Sequence, residues 1–564
     1  MKKAVLVPTT LYLSAFYLLS VLNVEKKFYT ITAIFLFFVL LQNIFKVQLL
    51  YLNFSLYFNV VIFLFFILIS QNYLLNIETI SWDISSYLVA SQDIQRGFLP
   101  LEKSYESKGP VFFYIINFIL IIVKNNYLYF KLANDFIILI ISLILYLTIR
   151  FETKNLSQPL ILSLVYLNLM SLKWYISEFS ELYNLFFIAL AIFIHRYKIE
   201  SNLNIFFAGF ILSLGILINQ GSVLFTIPFF ISILYSNKMK HKKLLYFFLG
   251  GVIPQIFFLT IYYYNNLIDI YLFNYIELPI NYSGESLSNF REIVVWLRGV
   301  AEYNLFIYLV VVLIVLGFFI QYIKAFKFDK KFLNNFYFNN FVISLLFYFI
   351  AGHNYYHHLI YLIYFLPFLI LFIESKNILN LIFVGTLFAS ILNFNLNYSS
   401  SYDNLRNPQE TYSNYPLKQL ANSISESSKI TDFNILALDF HLVLFYLEKP
   451  NYAYIIHPTN HFDKTITDGL KKLDLISEDN IDLLLHEKPD VIICNTMMIF
   501  SGIPTRLDSV EIEDIENKNW YDCNFENYSD HYYQLNTDKF RYNENLNLNI
   551  DPYKEMKVFI IDEK

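Results

Sequence analysis

About 13 apolar runs, each roughly 11 to 21 residues long, fill the chain between Val5 and Leu392, and they leave few folds open to it. The 564 residues are 56% hydrophobic and only 15% charged, whereas soluble domains carry about 25% charge. Crossing about 30 Å of hydrocarbon as helix takes about 20 residues, so the shorter runs must borrow flanking aromatic or polar residues. The 46 tyrosines suit that interfacial role. The expected fold is an all-α polytopic membrane protein of about 13 transmembrane helices, followed by a small α/β domain. The two cysteines, Cys494 and Cys523, match no metal or redox spacing.

Charge in the gaps sets an orientation. Lys2 and Lys3 precede the first run, Val5–Val24, which has no small-x-small cleavage site after it and reads as a retained span. Phe28–Phe45 and Leu49–Ile69 follow. Further along, one set of gaps holds Arg150 and Lys154; His195, Arg196 and Lys198; Lys238 to Lys243; Lys324 to Lys331; and Lys376. The positive-inside rule makes that set cytoplasmic. The alternate gaps and everything after Asn395 then face outward. The N-terminal spans agree if Val111–Val123, short for a span, is re-entrant or interfacial. The expected location is a bacterial cytoplasmic (inner) membrane, with the N-terminus cytoplasmic and the C-terminal domain extracytoplasmic.

Polar groups that membrane packing does not require gather in the outward gaps. The first is Ile80–Val111, with Trp82, Asp83, Tyr87, Asp93, Arg96, Glu102, Lys103, Glu106 and Lys108, inside a first outer loop spanning 70–129. The second is WYISEFSELY, where Glu178 and Glu181 are three apart and so neighbours on one helix face. An ionised group at the mouth of a span is costly unless paired or functional. The third, Asn265–Val300, carries Glu277, Glu285, Arg291, Glu292 and Arg298. The fourth, GHNYYHH, carries His353, His357 and His358, of which the first two are four apart and can share a helix face. Each segment taken singly also reads as a solvated loop or an aromatic belt. All four on one face point to a site.

At this point the segments resemble the membrane glycosyltransferases that use polyprenyl-phosphate sugars. That superfamily includes the protein mannosyltransferases and the aminoarabinose transferase of lipid A, and the likeness is nearest to its bacterial Rhizobium-lipopolysaccharide-transferase-like branch. Asp83, Tyr87, Gly97, Pro100 and the trio Lys108-Gly109-Pro110 follow the family's first motif in order, with Gly109 where the family has a proline. Glu181, with Glu178 as second candidate, stands for the family's second acidic motif. His353 to Pro367 resembles its aromatic-and-His segment. The family's Lys-Gly hairpin reads Asn219-Gln220-Gly221 here, without the lysine. The resemblance implies a GT-C-like fold. It implies transfer of a sugar from a polyprenyl-phosphate donor to a lipid, glycan or protein acceptor, in cell-envelope glycan or lipopolysaccharide modification.

The residue types suit that chemistry. Sugar transfer needs a base near the acceptor hydroxyl and stabilisation of the leaving phosphate. Asp83 is the expected base, and an inverting reaction needs only one. Lys108, Arg291 and Arg298 are the expected phosphate contacts. Trp82, Tyr87, His353, His357 and His358 are expected to line the acceptor cavity. A divalent metal ion near Glu178, Glu181 and the histidines is compatible with the residue types, though no ligand spacing establishes it. Membrane lipids are expected partners and nucleic acid is not. A non-enzymatic transporter or lipid-handling protein, and an oligosaccharide ligase or polymerase, remain alternatives.

Composition shifts after residue 394. Residues 395–415, rich in Asn, Ser and Tyr, read as a linker. In 416–564, helices are expected at Pro416–Ser428, His441–Leu447, Thr467–Leu475 and Asn480–His486. Strands are expected at Phe433–Ala437, Tyr452–Ile456, Asp490–Cys494 and Met556–Ile561, giving a small extracytoplasmic α/β domain. It shows no nucleotide loop or catalytic triad, and the expectation is that it binds acceptor or stabilises the outer mouth.

Overall fold

The computed structural model describes residues 56–78, 81–153, 157–172, 178–197, 201–235, 240–282, 290–324, 335–351, 355–427, 432–461, 463–477, 487–495, 531–540 and 556–562. The expected spans Val5–Val24 and Phe28–Phe45, His353, Glu285 and the expected helix Asn480–His486 lie outside them.

The described chain is predominantly helical, with a small sheet near its C-terminal end. In chain order the main helices are α1 (Leu56–Ser70), α2 (Trp82–Gln95), α3 (Pro110–Val123), α4 (Tyr127–Glu152), α5 (Ser157–Met170), α6 (Ser180–Tyr197), α7 (Asn202–Ile216), α8 (Thr226–Leu234), α9 (Lys240–Tyr264), α10 (Phe290–Tyr303), α11 (Leu305–Lys324), α12 (Phe336–Ala351), α13 (Ile360–Phe365), α14 (Lys376–Arg406), α15 (Pro416–Ser427), α16 (Leu442–Leu447) and α17 (Lys464–Lys472). Among the described residues, four helices are long and apolar enough to cross a membrane: Tyr127–Glu152, Lys240–Tyr264, Leu305–Ile323 and Lys376–Arg406. Shorter apolar helices, including Pro110–Val123 and Asn202–Ile216, stand among them. Phe248, Ile253, Ile256 and Phe257 of α9 are all exposed. A continuous apolar face of that kind is stable against lipid and costly against water.

Residues 395–415, expected as a linker, are mostly helical. α14 runs on to Arg406, and a further helix covers Pro408–Ser413. The polar residues of that stretch form a buried face. The Asn397 amide donates to Ser70 O at 3.1 Å and to Asn393 Oδ1 at 2.8 Å. The Asn404 amide donates to Asn72 O at 2.9 Å. Positions 393, 397 and 404 share one helix face, and they satisfy the backbone where α1 ends. A composition that suggests a loop is here a helix whose Asn397 and Asn404 amides are bonded to buried partners.

The sheet runs β1 (Ile435–Ala437), β2 (Val491–Asn495), β4 (Met556–Ile561), β3 (Tyr532–Gln534) in spatial order. β1 and β2 are parallel with Ile435 opposite Val491, and β4 is antiparallel to both β2 and β3. α15 presents Leu417, Leu420, Ala421 and Ile424 to the core, the i, i+3, i+4, i+7 face of an amphipathic helix. Tyr452–Ile456, expected as a strand, lies outside the sheet. Its Tyr452 N–H donates to Ile435 O at 2.8 Å, and Ile455 bridges Tyr105 of the first loop.

Candidate functional site

Asp83 occupies the first turn of α2, where a carboxylate is favoured by the helix dipole. One turn on, the Tyr87 hydroxyl donates to Asp83 Oδ1 at 3.0 Å. His457 Nε2 stands 3.7 Å from the same oxygen. The Asp83 side chain is 36% exposed although these groups surround it, so it sits in an open recess. Burial alone would raise its carboxyl. The charges of His457, Lys108 and His357, with the Tyr87 hydrogen bond, outweigh that and hold it below the ordinary aspartate range. Trp82 points elsewhere, and its indole N–H donates to Asp439 Oδ1 at 2.8 Å.

Lys108 is delivered by a tight crossing. A Cβ on Gly109 would lie 2.0 Å from Leu217 O, so no other residue fits where the chain passes the end of α7. The Gly109 N–H donates to Ile218 O at 3.2 Å, and Lys108 O accepts from the Asn274 amide at 3.2 Å. Pro110 then opens α3 at a position where a missing N–H costs nothing. Burial would discharge the Lys108 ammonium, but Glu181, Asp83 and Glu106 hold its pKa above the ordinary lysine value. Among the described residues no carboxylate comes within salt-bridge distance of it. Glu106, 2% exposed, is pushed up to about 8 by burial and the neighbouring Asp83 charge. Near neutrality it therefore keeps its proton.

Glu181 opens α6 and is 1% exposed. Its Oε1 accepts from the Asn219 amide at 3.1 Å and lies 3.8 Å from His358 Nε2 and 4.0 Å from His357 Nε2. The His357 ring stacks between Phe179 and Tyr355, at centroid distances of 4.6 and 5.3 Å. One ligand atom from each of Glu181, His357 and His358 lies within 4.8 Å of the other two, so this cluster is capable of coordinating a divalent metal ion. Donors around a tetrahedral zinc bonded at about 2.0–2.1 Å sit about 3.4 Å apart, so the three atoms would draw closer from separations of up to 4.8 Å. Two imidazoles and one carboxylate suit a transition metal better than calcium, which prefers all-oxygen shells.

The structure thus brings together Asp83, Tyr87, Lys108, Glu181, His357 and His358, with Trp82 at the margin. Among the described residues it does not bring in Glu178, Arg291 or Arg298, and His353 lies outside the described residues. Glu178 faces away, accepting from the Tyr127 hydroxyl at 2.7 Å beside the Lys131 charge. α10 buries Ile293, Trp296 and Val300, which turns Arg291 and Arg298 outward. Arg298 is 79% exposed and pairs with Glu302 at 2.8 Å. Among the described residues the histidines that meet Glu181 are the adjacent pair His357 and His358 on the 3₁₀ turn Tyr356–Leu359. Asn219, Glu106 and His457 escape a reading of the sequence as site residues. The one local signal for Asn219 is its place in the hairpin Asn219-Gln220-Gly221.

No family model matches this chain, no curated protein resembles it significantly, and no solved structure matches its fold.

Proposed function

We propose that this chain is an integral membrane glycosyltransferase acting on a polyprenyl-phosphate-linked sugar donor. The acceptor is a hydroxyl of a lipid, glycan or protein at the outer face of the cytoplasmic membrane. One observation carries the reading: a carboxylate held ionised (Asp83), an ammonium with no salt-bridged partner among the described residues (Lys108) and a metal-capable cluster (Glu181, His357, His358) meet at the ends of apolar helices. In this reading Asp83 takes the proton of the acceptor hydroxyl as that oxygen attacks the sugar C1. The bond from C1 to the phosphate oxygen breaks, and the lipid phosphate departs with the electron pair. Lys108 contacts that phosphate. A divalent ion bound by Glu181, His357 and His358 would supply a Lewis acid to a phosphate oxygen. The exposed apolar faces of the spans suit the polyprenyl tail. Cys494 is disulfide-bonded, which fits an oxidising compartment for the C-terminal domain.

The test uses purified full-length protein in lipid nanodiscs with a panel of polyprenyl-phosphate monosaccharides and membrane-extracted acceptors, read by mass spectrometry. Consumption of one donor with a sugar-sized mass gain on an acceptor is the expected result. Movement of a lipid across the bilayer with no donor consumed would replace this reading with that of a transporter.

A further inference from the structure

The C-terminal domain is clamped onto the segments that border the recess. The Tyr105 N–H donates to Tyr454 O at 2.6 Å, and the Tyr454 hydroxyl donates to Leu101 O at 2.7 Å. The Gln92 amide of α2 donates to Phe445 O at 3.1 Å. Trp82, next to Asp83, is held by Asp439, which also accepts from the Asn495 amide at 3.0 Å. On the far side, Gly469 of α17 lies so close to Phe273 that a Cβ would fall 2.1 Å from the ring. These contacts come from α2, from the loop before α3 and from the segment after α9. A domain needed only to cap the membrane part has no reason to enter the site, yet this one places a histidine there.

That residue is His457. Its Nε2 is 3.7 Å from Asp83 Oδ1, and its Nδ1 shares a hydrogen bond of 2.9 Å with the Thr459 hydroxyl. The ring packs at right angles to Trp82, with centroids 6.1 Å apart. The imidazole is thus fixed at one nitrogen and aimed at the carboxylate with the other.

We propose that His457 is the positioning and proton-relay partner of Asp83, so that the C-terminal domain completes the transferase site. The proposal rests on the reading of Asp83 as the base. The proton taken from the acceptor hydroxyl passes from the Asp83 carboxyl to Nε2 of neutral His457. That tautomer carries its other proton on Nδ1 and donates it to Thr459 Oγ1. The imidazolium then releases the proton to water, and Asp83 returns to the carboxylate. Burial lowers the His457 pKa, the Asp83 charge opposes that, and Lys108 adds to the lowering. His457 therefore rests neutral near pH 7 and ready to accept. The titratable groups facing it are Asp83 and Lys108 from the membrane part, and His441 and His461 from its own domain.

Two measurements on the full-length protein test this. The first needs no activity. NMR of histidine-labelled protein, with the His457 signal assigned by its loss in His457→Gln, follows its titration in wild type and in Asp83→Asn. Removing the carboxylate should shift the His457 titration to lower pH, and an unmoved titration would overturn the pairing. The second is the pH profile of sugar transfer. In wild type the rate falls on the acid side as His457 protonates. His457→Gln should lose at least about 10-fold in kcat, keep its donor KM within about threefold, and carry its acid limb to lower pH. A wild-type rate and profile in His457→Gln would overturn the relay while leaving the transferase reading in place. Failure of the wild type to transfer from any donor would sink the transferase reading, and the relay with it, whatever the titration shows.

Discussion

Glu178 and Glu181 stand three residues apart, Glu178 just before α6 and Glu181 in its first turn, and the protein uses them for opposite purposes. Glu178 is in a closed arrangement. The Tyr127 hydroxyl bonds it, and the Lys131 ammonium beside it is itself bonded to Leu74 O at 3.2 Å and Ile77 O at 2.6 Å. The Tyr127 hydroxyl and two of the Lys131 N–H groups are used within the protein. The network stitches α4 to the chain after α1, and Glu78 in that same stretch accepts from the Leu417 N–H at 2.8 Å and the Tyr446 hydroxyl at 2.6 Å. Glu181 is in an open arrangement. It meets two imidazoles at 3.8 and 4.0 Å, too far for good hydrogen bonds and near enough to share an ion. Beside it the Lys108 ammonium keeps its charge, held by Glu181, Asp83 and Glu106 against the cost of burial, with no salt bridge among the described residues. A buried polar cluster with all its valences filled is structural. One with charges left over is poised for a ligand.

The largest expected effect lies on the open side. Asp83→Asn keeps size and the Tyr87 contact but removes the proton acceptor. General-base catalysis contributes about 100- to 10,000-fold, so turnover should fall by at least about 100-fold while the protein reaches the membrane and elutes as wild type. Kinetics of the purified variant check this.

The second effect concerns Glu106, whose carboxyl keeps its proton up to about pH 8 in the folded protein against an ordinary value near 4.5. Between those two pH values the unfolded chain gives up this proton first. Stability therefore falls as pH rises through that window. Glu106→Gln should remove the fall, making the variant more stable than wild type at pH 8 by up to a few kcal/mol, on the order set by about 1.4 kcal/mol per pH unit. The gain should vanish below about pH 4.5. Thermal unfolding in detergent across that range decides it.

A smaller effect separates the expected phosphate contacts. Lys108→Gln should lose about 10-fold in donor use, the scale of one charge-assisted hydrogen bond of about 1.5 kcal/mol. Arg298→Gln, exposed and paired with Glu302, should change donor kinetics by less than about twofold. Steady-state assays against donor concentration compare the two.

The helical character of the chain and several residues of the candidate cluster are legible in the sequence because both are written in charge against an apolar background. Asp83, Lys108 and Glu181 interrupt long hydrophobic runs, and that interruption is visible without coordinates. β2 and β4 were legible as short apolar runs. β3 was not, because Tyr532–Gln534 is a half-exposed edge strand with little apolar signal. The difference between Glu178 and Glu181 was hidden because it is made by partners on other elements, Tyr127 and Lys131 for one, Asn219 and the histidine turn for the other. Arg291 and Arg298 look available in a linear reading, and only the buried face of α10 turns them away. His457 was illegible for a stronger reason. Nothing in the pattern of a small α/β domain says where it docks, and docking alone puts that ring beside Asp83.

The most direct test sets Glu181→Gln against Glu178→Gln in parallel preparations, measuring bound metal by elemental analysis and sugar transfer from the polyprenyl-phosphate donor. The account predicts that Glu181→Gln loses metal and transfers at least about 10-fold more slowly, the lower end of what losing such a group costs. Glu178→Gln should keep both within about twofold and show only a lowered melting temperature, from the loss of a charged hydrogen bond worth about 1.5–3 kcal/mol. Equal losses in the two variants, or the reverse order, would contradict it.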